Sequence, residues 1–516
     1  MLSPGDIDQY DAIRLFVARA ASAAPGFTLG EQNAVAVATI CRRLEGIPLA
    51  IELAAARVKL LSAAQIAERL DHSFQLLTRG ITDELPRHQT LRATMDWSYA
   101  LLTPLEQVLL RRLSVFASSF TTEMVEAVTS DPSNAQPQSP VLQPGDILDL
   151  LTNLMDKSLL SVEAPDSQGV GRFRLLETVR QYAREKLEAA GESVVMRDRY
   201  LDWCIGWAEH GNSHLVHAEQ AVWLKRFALQ QEHFRAALRW ACMRAPTTAR
   251  SGVVSMRPSW EPANQRVEAG MRLANALLRF WLTGGMAEGR DWLEEVLRLE
   301  SSQRQAAMPE VSDATRAWAL FGSGRLAVRL GDDALGAQRG EQSLALFRAV
   351  GDSAGRLAAL NLLALAAQDT GDYERALALY REALELSRQK NDTRMTYVLL
   401  VNQGLMYYEQ QDYRRTAPLW LEANAIAERK GYSSTLDNWA CLLMMQGDLA
   451  QAQRLLEREW KTAADSGNQM LVALAVMDLG EATRRQGDLE RAQALLADAL
   501  ERHRQMSNHV RIGEAL

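Results

Sequence analysis

From about residue 313 to the end, apolar positions recur at the three- and four-residue spacing of a helix, and polar turn signals interrupt them at a nearly fixed interval. The pairs Gly331-Asp332, Gly371-Asp372, Gln411-Asp412, Gly447-Asp448 and Gly487-Asp488 are spaced by 40, 40, 36 and 40 residues. A second marker falls half a period later, at Gly351-Asp352, Asn391-Asp392, Gly431-Tyr432, Gly467-Asn468 and Ser507-Asn508. Two turns per repeat predict a helix-turn-helix unit copied in tandem, an α-solenoid, and solenoids as a class bind rather than catalyse.

Seven residues before each principal marker stand Gly324, Ala364, Gly404, Ala440 and Gly480, and five after it Gly336, Ala376, Thr416, Ala452 and Ala492. All ten are small. Two antiparallel helices can approach closely only where no larger Cβ substituent separates their axes. These are the small positions of a tetratricopeptide-type repeat. In the 36-residue step Gly431 and Gly447 are 16 residues apart instead of 20, which predicts one helix a turn short. The first helix of each pair lines the concave face. Counting six and three before, and one and four after, each small position selects groove-facing residues that include Trp318, Phe321, Arg325, Val328, Asn361, Gln368, Tyr408 and Arg484. Their polar and aromatic character among aliphatic neighbours marks them as a candidate partner-binding surface.

The first half reads differently. Helical periodicity covers residues 10–80, broken at Gly46-Ile47-Pro48, where Pro48 suits a first helical turn. Ser62 is a cap for a helix through Leu70. Helices follow at Thr90–Leu101, Pro104–Phe116 (capped by Thr103), Thr122–Val128, Ile147–Asp156 and Glu177–Ala189. Ser158–Glu163 and Arg172–Leu176 alternate about a turn and predict the one hairpin. Three helices, a hairpin and a closing helix describe a winged-helix-like module. Residues 193–310 are helical, Trp-rich and without the regular register, with a Pro/Ser/Gly linker at 245–262.

The fold class expected is mainly α: a helical lid (1–82), a winged-helix domain with one hairpin (83–192), an irregular helical region (193–312) and tetratricopeptide repeats (313–516). A net charge of −7 argues against a chain-wide nucleic-acid surface. No run approaches the ~18 apolar residues of a membrane helix, and the polar start is no secretory signal, so a cytoplasmic protein without membrane contact is expected. Cys41, Cys204, Cys242 and Cys441 are far apart in apolar contexts and read as buried thiols.

Six runs in order carry a family resemblance: AIRLFVARA, ICRRLEGIPLAIELAAARVKLLS, LPRHQTLRATMDWSYALL, LRRLSVFASSF, LMDKSLLSVE and FRLLETVRQYAREKL. They resemble bacterial STAND (signal-transduction ATPase) regulators of the NB-ARC-like kind, LuxR/AfsR-like transcriptional regulators in which these runs follow a nucleotide-binding domain and precede tetratricopeptide repeats. The resemblance implies that Gly46 and Pro48 form the family's GxP element, the proline meeting adenine when a nucleotide-binding domain is present. Leu175-Leu176-Glu177 stands where relatives place Met-His-Asp, and Leu176 cannot make the histidine's hydrogen bond to phosphate.

No G-x-x-x-x-G-K-[ST] loop or acidic Walker-type strand occurs. The chain begins where the family's nucleotide-binding domain ends, so a fragment or a product without its motor is expected. ATPase activity is not expected, nor any cofactor of this chain's own; ATP or ADP is implied only with the missing domain. DNA contact is assigned to a domain outside this sequence. The G-x-G-x-x-A run at Gly322–Ala327 lies inside a repeat helix and is read as packing. His210, His214 and His217 are spaced like ligands, but Gly211 and Asn212 are expected to interrupt their helix. Two functions fit: the sensor portion of a STAND regulator, binding a protein or small-molecule effector on the solenoid, or a free-standing tetratricopeptide scaffold for protein partners.

Overall fold

The structure is a computed structural model, and it describes residues 9–44, 46–77, 86–132, 140–163, 169, 171–215, 220–243, 263–305, 311–430, 436–466 and 469–505. The linker expected at 245–262, His217 and the markers at 431–432, 467–468 and 507–508 lie outside the described residues. The chain divides into two compact units, residues 1–203 and 204–516.

The first unit opens with α1 (Asp11–Ala23), α2 (Glu31–Arg43), α3 (Pro48–Ala55), a 3₁₀ turn (Ala56–Lys59), α4 (Ala63–Leu77) and α5 (Pro86–Ala100). Their apolar stripes meet in one core of Ile13, Phe16, Val37, Ile40, Leu44, Ile51, Ile66, Leu70 and Trp97. Gly46 takes the left-handed conformation (φ +69°) that turns the chain into Pro48, the first residue of α3. Ser62 and Gln65 cap α4 reciprocally, side chain to backbone, at 3.3 and 3.0 Å.

The winged-helix part follows as α6 (Pro104–Leu113), α7 (Thr122–Thr129), α8 (Ile147–Asp156), β1 (Ser161–Glu163), β2 (Arg172–Arg174) and α9 (Glu177–Ala189). The strands are antiparallel, with Val162 opposite Phe173. Phe120 adds a bridge on the other edge of Phe173, exchanging backbone hydrogen bonds of 2.9 and 2.8 Å. Thr103 and Glu106 form a capping box at the start of α6. Both strands are shorter than their alternating pattern predicts; Ser158, at φ +57°, turns the chain before β1.

Helix α10 (Ser193–His214) carries the chain through the division between units and is unbroken at Gly211 and Asn212. That corrects the expected interruption: a Cβ on Gly211 would lie 2.7 Å from the Phe227 ring, so the glycine is there for packing. In the second unit α11 (Gln220–Cys242), α12 (Ala263–Thr283) and α13 (Met286–Gln305) precede five regular pairs: α14 and α15 (Asp313–Arg329, Asp333–Val350), α16 and α17 (Ser353–Asp369, Tyr373–Gln389), α18 and α19 (Thr393–Glu409, Tyr413–Lys430), α20 and α21 (Leu436–Gln446, Leu449–Ser466), and α22 and α23 (Gln469–Gln486, Leu489–Gln505).

The Gly-Asp pair does two jobs in two residues. Gly371 sits at φ +78°, and its N–H and that of Asp372 close the end of α16 onto Gln368 and Ala367 at 2.9 and 2.8 Å. The Asp372 carboxylate then accepts the N–H of Arg375 and caps α17 at 3.2 Å. The small positions also act as expected. A Cβ on Gly336 would approach Val328 to 2.3 Å, and one on Gly404 would approach Trp420 to 2.2 Å. Helix α20 is described over 11 residues and its counterpart α18 over 17; residues 431–435, just before α20, lie outside the described residues. Helix α12 packs on α22 and α11 on α21, so the array curls until early and late repeats touch.

Candidate functional site

The second helices of successive repeats are joined by ion pairs between residues 34 apart. Arg348 meets Glu382 at 2.9 Å, Arg375 meets Glu341 at 2.5 Å, Arg388 meets Glu422 at 2.8 Å and Arg491 meets Glu457 at 2.9 Å. Each pair is half exposed and worth at most about 1 kcal/mol, but together they fix repeat-to-repeat register.

The first helices carry a different chemistry. Asn402 donates to Asn361 at 2.9 Å, and Gln368 donates to Glu409 at 2.9 Å while accepting from the buried Tyr380 hydroxyl at 3.2 Å. Asn361 and Gln368 are thus buried rungs joining α16 to α18, with their polar groups already engaged. Phe321 corrects the groove assignment more sharply. It is 4% exposed and belongs to the solenoid core, where the Trp318 ring meets it edge-on at 5.5 Å and meets Phe347 at 5.0 Å. Counting from Gly324 points it at the groove; the close approach of neighbouring helices covers that position. Trp318 is half-buried against the same core.

Tyr408, Arg484 and Arg325 keep polar groups within reach of solvent. Tyr408 packs on Trp420 and Tyr413 at 5.4 and 5.8 Å, and its hydroxyl accepts from Arg485 at 3.4 Å. Arg484 and Arg485 both grip Glu481, at 2.7 and 2.6 Å. Arg325 lies over the Phe321 ring at 5.9 Å, and among the described residues no carboxylate is paired with it. Burial, then the like charges of Arg329 and Arg279, push its guanidinium down to about 10. Burial and the charge of Arg394 likewise lower Arg279. Sequence reasoning did not select Arg279, Arg329 or Arg394. Arg329 was accessible, being four residues from Arg325 on one helix face; the other two stand on α12 and α18.

In the first unit Gly46 and Pro48 are both exposed. In the same unit Arg57 is buried, donates to the Ser98 carbonyl at 3.2 Å and feels the charge of Glu106, which Lys157 grips. Helix α8, the third helix of the winged-helix part, carries Asp149 and Asp156 and no Lys or Arg. Asp156 is paired with Lys59 at 2.7 Å. On the hairpin Arg172 is buried against Ser119 at 3.0 Å, and Arg174 meets Glu163 at 3.4 Å. His214 stacks on Trp223 at 4.8 Å, and among the described residues no group of side chains could hold a metal ion.

Comparison with known proteins agrees with this layout. Residues 102–188 match the profile of a winged helix-turn-helix domain, and residues 315–389 and 472–509 match tetratricopeptide repeats. Over 467 residues the chain is 35% identical to a Mycobacterium tuberculosis protein whose name makes it a candidate HTH-type transcriptional regulator, with a counterpart in Mycobacterium bovis; the match takes in 89% of this chain and 48% of the relative. This is a winged helix-turn-helix domain followed by tetratricopeptide repeats, homologous to candidate transcriptional regulators. The chain spans about half the length of those curated relatives. An uncharacterised M. tuberculosis protein is 40% identical over 190 residues, covering 37% of this chain and 46% of its own.

Among solved structures, a STAND protein with a tetratricopeptide repeat sensor from Pyrococcus horikoshii aligns over 99% of this chain and 73% of its own, at 14% identity and a TM-score of 0.34. Aspartyl phosphate phosphatase F from Bacillus subtilis aligns over 91% and 95%, at 9% identity and a TM-score of 0.43. No described helix is long and apolar enough to cross a membrane.

Proposed function

We propose that this chain is the non-catalytic sensor portion of a STAND-type, LuxR/AfsR-like transcriptional regulator whose solenoid receives a protein or small-molecule effector on its concave face. The observation that carries the reading is Arg325 on α14, whose guanidinium lies over the Phe321 ring and among the described residues is paired with no carboxylate. The winged-helix part acts as a structural relay. Its third helix α8 carries two acids and no base, and the hairpin arginines Arg172 and Arg174 are engaged, which disfavours phosphate contact through those two elements. DNA contact and nucleotide binding then belong to other domains of the full regulator, with Gly46 and Pro48 meeting adenine only in their presence.

The test is transcript profiling in the host after deletion of the gene and after its replacement by an Arg325→Glu, Tyr408→Phe double variant. Tyr408→Phe keeps the ring on Trp420 while removing the hydroxyl. Both strains should alter the same small set of transcripts. Unchanged transcripts in the deletion strain would refute the regulator and favour the free-standing scaffold. Calorimetry of the purified chain should show no ATP affinity tighter than about millimolar, because its sequence lacks the phosphate-binding loop.

A further inference from the structure

The stability of a repeat array is a sum over interfaces, so a weak interface marks where the array bends. One rung of the ladder has a fixed register. Its acid stands nine residues after one capping aspartate and its base three residues after the next, as in Glu341–Arg375 and Glu457–Arg491. In that register α17 and α19 carry Arg381 and Arg415, and α19 and α21 carry Leu421 and Gln451. Arg415 pairs instead with Asp412 of its own helix at 3.4 Å, and Leu421 is 52% exposed. Both seams of α19 therefore lack this rung, while Arg388–Glu422 remains on the α17 side. Two further features weaken the same helix. Pro418, inside α19, removes one backbone donor from its hydrogen bonds. Twelve residues after the capping aspartate, where α15 and α17 place the core residues Leu344 and Leu384, α19 carries Asn424. Asn424 is 7% exposed, and among the described residues neither atom of its amide has a hydrogen-bond partner. A buried amide without partners destabilises the folded array, and the leucine of the sister repeats would not. Leu384 lines a groove together with Gln403 of the following pair, so this position looks from one pair to the next.

We infer that α20–α23 form an arm jointed to the rest of the solenoid at α19, swinging between the closed position seen here and an open one. Toward α18 the helix is fixed, since Trp420 fills the space over Gly404 and donates to the Val401 carbonyl. The joint therefore lies on the side of the following pair. At the far end of the arm α22 meets α12 and α21 meets α11. Both α12 and α22 are first helices, so seating one on the other narrows the concave face and separating them widens it. The Tyr408 hydroxyl, accepting from Arg485 at 3.4 Å, ties α18 to α22 in the closed position. This goes beyond the effector reading and concerns the chain alone, so its failure leaves that reading standing.

The experiment measures, in the full chain, the distance between spin labels carried by unnatural amino acids at two exposed positions, Glu374 on α17 and Glu490 on α23. The parent should give two distances or one broad distribution. Two variants tighten the joint by different means. Leu421→Glu with Gln451→Arg restores the missing rung at the surface, and Asn424→Leu restores the core residue of the sister repeats. Each should narrow the distribution to a single distance. Each should also slow amide exchange in α19 and α21 about threefold or more, with α15 unchanged. If Asn424→Leu fails to fold, the rung variant decides alone. One sharp distance in the parent, a broad distribution that neither variant narrows, or slowing shared equally by α15 overturns the joint.

Discussion

Replacing Gly404 by Ala isolates the packing argument, because two effects of opposite sign act at that residue. In an exposed helix interior the change stabilises by about 1 kcal/mol, since Ala loses less backbone freedom. At Gly404 the new Cβ would stand 2.2 Å from Nε1 and 2.4 Å from Cδ1 of Trp420. Trp420 is fully buried, and its Nε1 donates to the Val401 carbonyl at 3.1 Å. It cannot move aside without losing that bond, worth about 1–3 kcal/mol once its donor is left buried. Overpacking adds about 1–3 kcal/mol. The net expectation is a loss of about 1–5 kcal/mol. Gly206, on α10, has open space where its Cβ would go, so Gly206→Ala should gain about 1 kcal/mol. Urea unfolding followed by circular dichroism gives the ranking. Hydrogen exchange over residues 393–430 localises the loss, which matters because repeat arrays need not unfold in two states. If Gly404→Ala is as stable as Gly206→Ala, close helix approach is not why the small positions recur.

Asp372→Ala should cost about 1 kcal/mol through the lost cap on α17, with Asp372→Asn retaining most of it, as read by thermal melting. Gln411 occupies φ +60° where its sister markers have glycine, so Gln411→Gly should raise stability by about 0.5–1 kcal/mol in the same assay. In the first unit, burial tends to raise the Glu192 carboxyl, but hydrogen bonds from Arg111 and Arg112 outweigh it and hold the group below 4.5; Asp131 is held low by Arg112 in the same way. Stability from these depressed carboxyls is fully present above their unfolded values and lost as pH falls through the folded ones. Unfolding of residues 1–203 should therefore steepen below about pH 4.5, and Glu192→Gln should flatten that slope while costing about 2 kcal/mol at pH 7.

The parts legible in the sequence are those fixed by neighbours in the chain. Gly371-Asp372 could be read because a left-handed glycine and an aspartate cap act within four residues, and Ile147–Asp156 and Glu177–Ala189 end where their periodicity ends. Gly211 was misread for the converse reason. As a local signal it breaks a helix, and only Phe227, from the next helix, explains it. Phe321 shows the same limit, since which face a position occupies depends on how closely the neighbouring helix lies.

Pairs such as Arg348–Glu382 each join one second helix to the next, so their contribution is to nearest-neighbour interfaces, the terms that sum to the stability of a repeat protein. The rungs from Asn402 to Asn361 and from Gln368 to Glu409 join first helices of adjacent repeats and act on the same terms. The two sets differ in burial. An exposed pair is screened by water and salt, whereas removing one partner of a buried rung leaves the other without its hydrogen bond. Loss of Asn361 or Gln368 should therefore weaken its interface more than loss of any one ion pair of the ladder.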